Sequence, residues 1–197
     1  MNLLFGAVYP LQEEIRVKKF TTIDLVITAL SAAILCILAP ISIPLGFTPI
    51  PVTLGFFAVV MVGILLGSFR GTVCVFVYIL LGAVGLPVFS GFVGGLPKVV
   101  GPTGGYLWGY LFMTFLTGFF AEKFAGKWYM CLLGAVLGAA ICYAFGTVWM
   151  ALQLSMGPME ALMAGVIPFI PLDLVKILAA VFVCCPIRAQ LRQQNLV

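Results

Sequence analysis

Residues 25–69 read LVITALSAAILCILAPISIPLGFTPIPVTLGFFAVVMVGILLGSF, a run without one Asp, Glu, Lys, Arg or His. About 20 apolar residues carry a helix across the hydrocarbon core of a bilayer, so this run is long enough for two crossings. Three more uncharged runs follow, at 71–97, 99–121 and 128–159. Over the whole chain of 197 residues, 63% are hydrophobic and 8% charged. A soluble domain carries about a quarter charged residues, and one this poor in charge could not shield its apolar side chains from water. Lipid removes that requirement. The chain reads as an all-α membrane protein.

Pro, Gly and the few charges divide the apolar sequence into six spans, at about 22–38, 52–66, 72–86, 104–120, 128–152 and 168–185. An even number of crossings puts both termini on one side. That side then holds Arg16, Lys18, Lys19, Arg70, Lys123, Lys127, Arg188 and Arg192, against Lys98 alone on the other. Lys and Arg accumulate on the cytoplasmic side. The expectation is a six-transmembrane-helix bundle in the cell membrane with both termini cytoplasmic. It comprises an N-terminal cytoplasmic or interfacial segment (1–21), a six-helix transmembrane domain (22–187) and a cytoplasmic tail (188–197). Charges at Glu13, Glu14, Arg16, Lys18 and Lys19 precede the first long apolar run, unlike a cleaved signal peptide. The net charge of +4 then reports topology and not nucleic-acid binding.

Several chemistries lack their residues. The chain has no His, and its six cysteines form no CxxC pair, so no metal site is expected and the thiols read as small packing groups. No GxxxxGK[ST] motif is present to cradle nucleotide phosphates. No nucleophile stands beside a general base, and no catalytic residue is assigned.

Two charges lie inside the last span, Asp173 and Lys176 in IPFIPLDLVKIL. Spaced i, i+3, they share a helix face. Ionisable groups in a span are costly and face a cavity or a partner. Together they supply an acceptor and a donor for a polar solute group. A self-neutralising pair that orders the helix end is the other reading. The second feature is the Gly-rich loop GLPVFSGFVGGLPKVVGPTGGYLW at 85–108, expected on the outer side. Its glycines allow close backbone approach to a ligand. Gly104 and Gly105 open the fourth span, where a helix N-terminus favours an anion. Phe89, Phe92, Tyr106 and Trp108 are candidate aromatic walls. The third feature is Ala29 and Ala33, small residues four apart that let another helix pack closely, from this chain or a partner.

The segments GLPVFSG (85–91), Gly94-Gly95, GPTGGY (101–106), IPLGFTPIPV (43–52) and Pro171-x-Asp173-x-x-Lys176 resemble the BioY family over about residues 23–187. That family supplies the biotin-specific substrate-binding components of energy-coupling factor (ECF) transporters. The resemblance implies high-affinity capture of biotin for uptake, with biotin as transported ligand, no cofactor and no enzymatic activity. It implies contact of Asp173 and Lys176 with the ligand, joined by Gly104, Tyr106, Phe92 and the position of Val93. It also implies that Ala29 and Ala33 face a transmembrane coupling subunit, itself joined to two cytoplasmic ATPases. Two positions depart from the pattern: Val93 stands where members carry a polar residue such as Asn, and Leu107 where some carry Arg. Lys98 is the candidate carboxylate partner in place of that Arg. The alternatives are another small vitamin or cofactor precursor and, from a different class, a small membrane enzyme using Asp173 and Lys176. Self-association into an oligomer stays open.

Overall fold

The computed structural model describes residues 22–194. The expected N-terminal segment, with Arg16, Lys18 and Lys19, lies outside the described residues. Eight helices and one strand pair follow in order: α1 (Thr22–Leu38), β1 (Ser42–Ile43), β2 (Val52–Thr53), α2 (Gly55–Leu66), α3 (Ser68–Ala83), α4 (Leu96–Val100), α5 (Gly104–Lys123), α6 (Trp128–Leu154), α7 (Pro158–Gly165) and α8 (Ile170–Gln193). Two of them, α6 and α8, are long and apolar enough to cross a bilayer by length and composition. Helices α1, α2 and α3 are apolar but shorter.

The structure departs from the sequence reading in the connections. Residues 39–51 form more than a Pro-rich link: β1 and β2 pair antiparallel, Ser42 opposite Thr53 and Ile43 opposite Val52. Pro40, Pro44, Pro49 and Pro51 deny this stretch the N–H donors of a helix, so only short extended pairing remains. The second helix therefore starts at Gly55, three residues later than expected. The turn between β1 and β2 is fastened across the molecule, where Thr48 Oγ1 donates to the Ala164 carbonyl at the end of α7 (2.6 Å). Helices α4 and α7 lie between the expected spans. Each is opened by a Pro in its first turn, where the missing N–H costs nothing. The last helix continues through Pro186 to Gln193.

Close helix packing rests on glycine. A Cβ on Gly109 would lie 3.0 Å from the Cys142 backbone, and one on Gly138 2.9 Å from that of Met113. Gly105 meets the Trp149 side chain, and Gly134 that of Phe120. Gly105/Gly109 on α5 thus pack against Cys142 and Trp149 of α6, and Gly134/Gly138 on α6 against Met113 and Phe120 of α5. In lipid, where helices gain nothing by hiding apolar surface, such close approach is what holds them together.

Polar groups gather at the two ends of the bundle. At one end Arg70 pairs with Asp24 (2.8 Å), joining α3 to α1. Ser68 Oγ donates to Glu122 (2.6 Å), beside the α2–α3 turn that Gly67 makes with φ +85°. Arg188 is buried there and donates to the carbonyls of Ile64 and Leu65. These are orphan acceptors at the end of α2, so a cation from α8 caps it. The other end holds a cavity.

Candidate functional site

Pro171 sits in the first turn of α8, and Asp173 N–H donates to the Phe169 carbonyl (2.8 Å), so the helix starts without side-chain capping. One turn in, Lys176 Nζ lies 2.8 Å from Asp173 Oδ1. The second carboxylate oxygen, Oδ2, accepts from the Tyr143 hydroxyl of α6 at 2.5 Å. Asp173 is buried, and its charge is met by one cation and one hydroxyl. An ionised carboxylate has about four acceptor sites, and an ammonium three donors. With two and one spent, respectively, both groups keep capacity for a solute.

The pair faces a cavity that is partly open to solvent. Aromatic residues contribute much of its wall, among them Phe56, Tyr78, Phe89, Tyr106, Tyr110 and Phe169. Phe89 is wholly buried, edge-on to Tyr78 at 5.6 Å. It fits there because position 82 is glycine, where any Cβ would overlap its ring. Tyr106 is held by its hydroxyl, 2.9 Å from Thr147 Oγ1 and donating to the Gly165 carbonyl at 3.2 Å. Glycine at 146 and 165 leaves room for that ring and hydroxyl. Lys98, Ser90 and Thr103 also line the cavity. Lys98 has no acidic partner within salt-bridge distance among the described residues, and burial lowers its pKa from the usual lysine value.

Of the residues singled out in the sequence, Asp173, Lys176, Tyr106 and Lys98 meet in this cavity, and Leu107 lies in its wall. Others are outside it. Phe92 and Val93 are 66% and 47% exposed. The turn between Phe89 and Val93, with Phe92 at φ +58°, brings Phe89 inside and turns Phe92 and Val93 out. Gly104 lies behind the wall, its N–H spent on the Gly101 carbonyl (2.9 Å) and its α-carbon packed on Val99. That N–H is therefore not offered to an anion. Trp108 is also outside; Trp149 instead fastens the loop, donating to the Gly101 carbonyl at 3.0 Å. Ala29 and Ala33 are exposed on the outer face of α1.

Sequence reasoning missed Tyr143, Tyr110 and Phe56. Tyr143 carried one available signal. Tyrosine in a membrane helix favours the interfaces, and this one falls near the middle of α6. Phe56 carried no signal distinguishing it from its apolar neighbours.

The chain matches the BioY family over residues 13–193. It is 40% identical to the biotin transporter BioY of Rhizobium etli, an alignment covering 81% of this chain and 90% of that protein. It is also 40% identical to the biotin transporter BioY of Thermotoga maritima, over 81% and 92%. Among solved structures it resembles the S-component for biotin from an ECF-type ABC transporter. The TM-score is 0.78 at 33% identity, covering 84% of this chain and 90% of that one.

Proposed function

The chain belongs to the BioY family, and from this we propose that it captures biotin for uptake as the substrate-binding subunit of an ECF-type transporter. It is a membrane protein and not an enzyme. The observation that carries the substrate reading is the distribution of polar groups around the cavity. Asp173 and Lys176 stand against an aromatic wall, with Lys98 elsewhere on the lining. Biotin has a ureido ring with N–H donors and a carbonyl acceptor, an apolar body and a carboxylate. Asp173 accepts from one ring N–H, Lys176 donates to the adjacent ring carbonyl, and Lys98 takes the carboxylate. Pockets with apolar walls and a few convergent polar groups suit such ligands. Equilibrium binding of labelled biotin to the purified, detergent-solubilised protein tests this. Saturable submicromolar binding is expected, and none by folded protein sinks it.

Six crossings are assigned to α1, α2, α3, α5, α6 and α8, with α4 and α7 lying at the outer surface. Helix α2 has 12 residues, which give about 18 Å of rise. The extended approach through Val52 and Thr53 adds about 7 Å. Orientation is supported by where the cations fall. Arg70 and Arg188 belong to the end opposite the cavity, with Lys123 and Lys127 flanking the α5–α6 turn beside Glu122. Lys98 lies at the cavity end. By the positive-inside rule the cavity opens outward and both termini are cytoplasmic. The exposed Ala29/Ala33 stripe on α1 is assigned to the coupling subunit, whose ATPases supply the energy that this chain has no motif to harness.

Lys98 gives a test of its own. Its charge is partly exposed, so replacing it with Ala is expected to weaken biotin binding by about fivefold. A biotin amide, lacking the carboxylate, should bind the wild type and Lys98→Ala equally. Because burial lowers the Lys98 pKa, its proton is lost at lower pH than that of an exposed lysine. The carboxylate-dependent part of the affinity is therefore present at neutral pH and lost as pH rises into the alkaline range. Unchanged biotin affinity in Lys98→Ala removes this residue from the site.

A further inference from the structure

The carboxylate of Asp173 is gripped from two directions. Lys176 holds Oδ1 from the same helix, at the end of a long flexible stem. Tyr143 holds Oδ2 from α6, and its ring is stacked on Phe56 of α2, with centroids 5.9 Å apart and planes inclined by 23°. The terminal torsion of an aspartate is broad, so a single donor leaves the carboxylate plane free to swing. Two donors on different oxygens fix it. Of the two, only Tyr143 ties the group to helices other than α8. A tyrosine hydroxyl has one proton, and this one is spent on Asp173.

We propose that Tyr143 is a positioning residue for ligand recognition: its hydroxyl, braced by Phe56, fixes the Asp173 carboxylate so that a remaining lone pair meets an N–H group of a cyclic urea. This rests on the biotin reading above. The ring–ring stack sets the hydroxyl, the hydroxyl sets the carboxylate, and three helices thereby converge on one acceptor. Recognition of the ureido group then needs little reorganisation of the site, and preorganisation of this kind converts directly into affinity.

The test is a double-mutant cycle on the purified protein. Tyr143→Phe keeps the ring and its stack and removes only the hydroxyl. It is expected to weaken biotin binding about tenfold, the effect of a hydrogen bond to a charged group. In an Asp173→Asn background the same change should alter affinity by less than about twofold, because its target is gone. In a Lys98→Ala background the loss should again be about tenfold, since Tyr143 does not act on the carboxylate end. A similar loss in all three backgrounds, or no loss in the wild type, overturns the proposal. Thermal unfolding of the ligand-free single and double variants is read alongside. Coupled melts without biotin binding by the wild type would leave the Tyr143–Asp173 bond standing, overturn the substrate reading, and remove the recognition role with it. Uncoupled melts together with tight wild-type binding would overturn the positioning role alone.

Discussion

Asp173→Asn is expected to weaken biotin binding by about ten- to a hundredfold, from the 1.5–3 kcal/mol typical of a hydrogen bond to a charged group. The substitution is nearly isosteric, so the cavity keeps its shape. It removes the negative charge that faces Lys176, whose side chain is only 14% exposed. It also replaces an acceptor-only group by one that presents N–H toward the ligand's own donors. The competing account is that Asp173 and Lys176 merely neutralise each other and order the start of α8. The opposite end of the bundle supplies the control. Asp24 and Arg70 are a second buried pair at the same distance, 2.8 Å. Breaking a buried pair by removing one partner destabilises by about 3–5 kcal/mol. Asp24→Asn should therefore lower thermal stability and leave the affinity of the folded fraction untouched. Should Asp173→Asn behave like Asp24→Asn, less stable but with wild-type affinity, the pair is structural.

Gly118→Ala is expected to destabilise the fold by about 1–3 kcal/mol, the usual cost of forcing a methyl into packed space. Here the obstacle is backbone: a Cβ at 118 would overlap the Gly67 carbonyl carbon and the Ser68 nitrogen. Side chains can rotate away from an added methyl, but this turn cannot. Gly67 holds φ +85°, and its neighbour Ser68 is hydrogen-bonded to Glu122 of the same helix that carries position 118. Gly46 is the comparison, having nothing within 4 Å of its added Cβ. Gly46→Ala should change stability by less than about 0.5 kcal/mol. Melting temperatures of the two variants in one detergent decide the point. Equal values would mean that α5 does not press on the α2–α3 turn as described.

Legibility in the sequence followed how local each signal was. The Asp173/Lys176 pair stood out because ionisable residues are scarce in apolar runs, and the structure places both groups on the cavity. Tyr106 and Lys98 were reached through the Gly-rich loop and its motifs, and they line the cavity too. The same reasoning put Phe92, Val93 and Gly104 beside them, because composition does not say which way a turn faces. One reversal of the chain at Phe92 buries Phe89 and exposes Phe92 and Val93. The small-residue stripes show a related gap. Gly105/Gly109 and Gly134/Gly138 have the four-residue spacing that drew attention to Ala29/Ala33. Spacing alone ranks them equally, yet the glycines lie between α5 and α6 while the alanines are left exposed.

The sequence by itself therefore determined that the chain is a helical membrane protein, where most of its long helices lie, and that one ion pair is held inside an apolar span. Each follows from a property summed over a short window: missing charge, apolar length, or the three-residue step that puts two groups on one helix face. Its motifs were also enough to place it in its family. Only the tertiary structure decided that Tyr143 and Phe56 stand behind Asp173, that a strand pair latched through Thr48 adjoins the cavity, and that Arg188 caps α2 from the far end of α8. These depend on which faces meet when helices far apart in the chain cross. Crossing is set by where small residues permit close approach on both partners at once, a joint property that no single window of sequence contains.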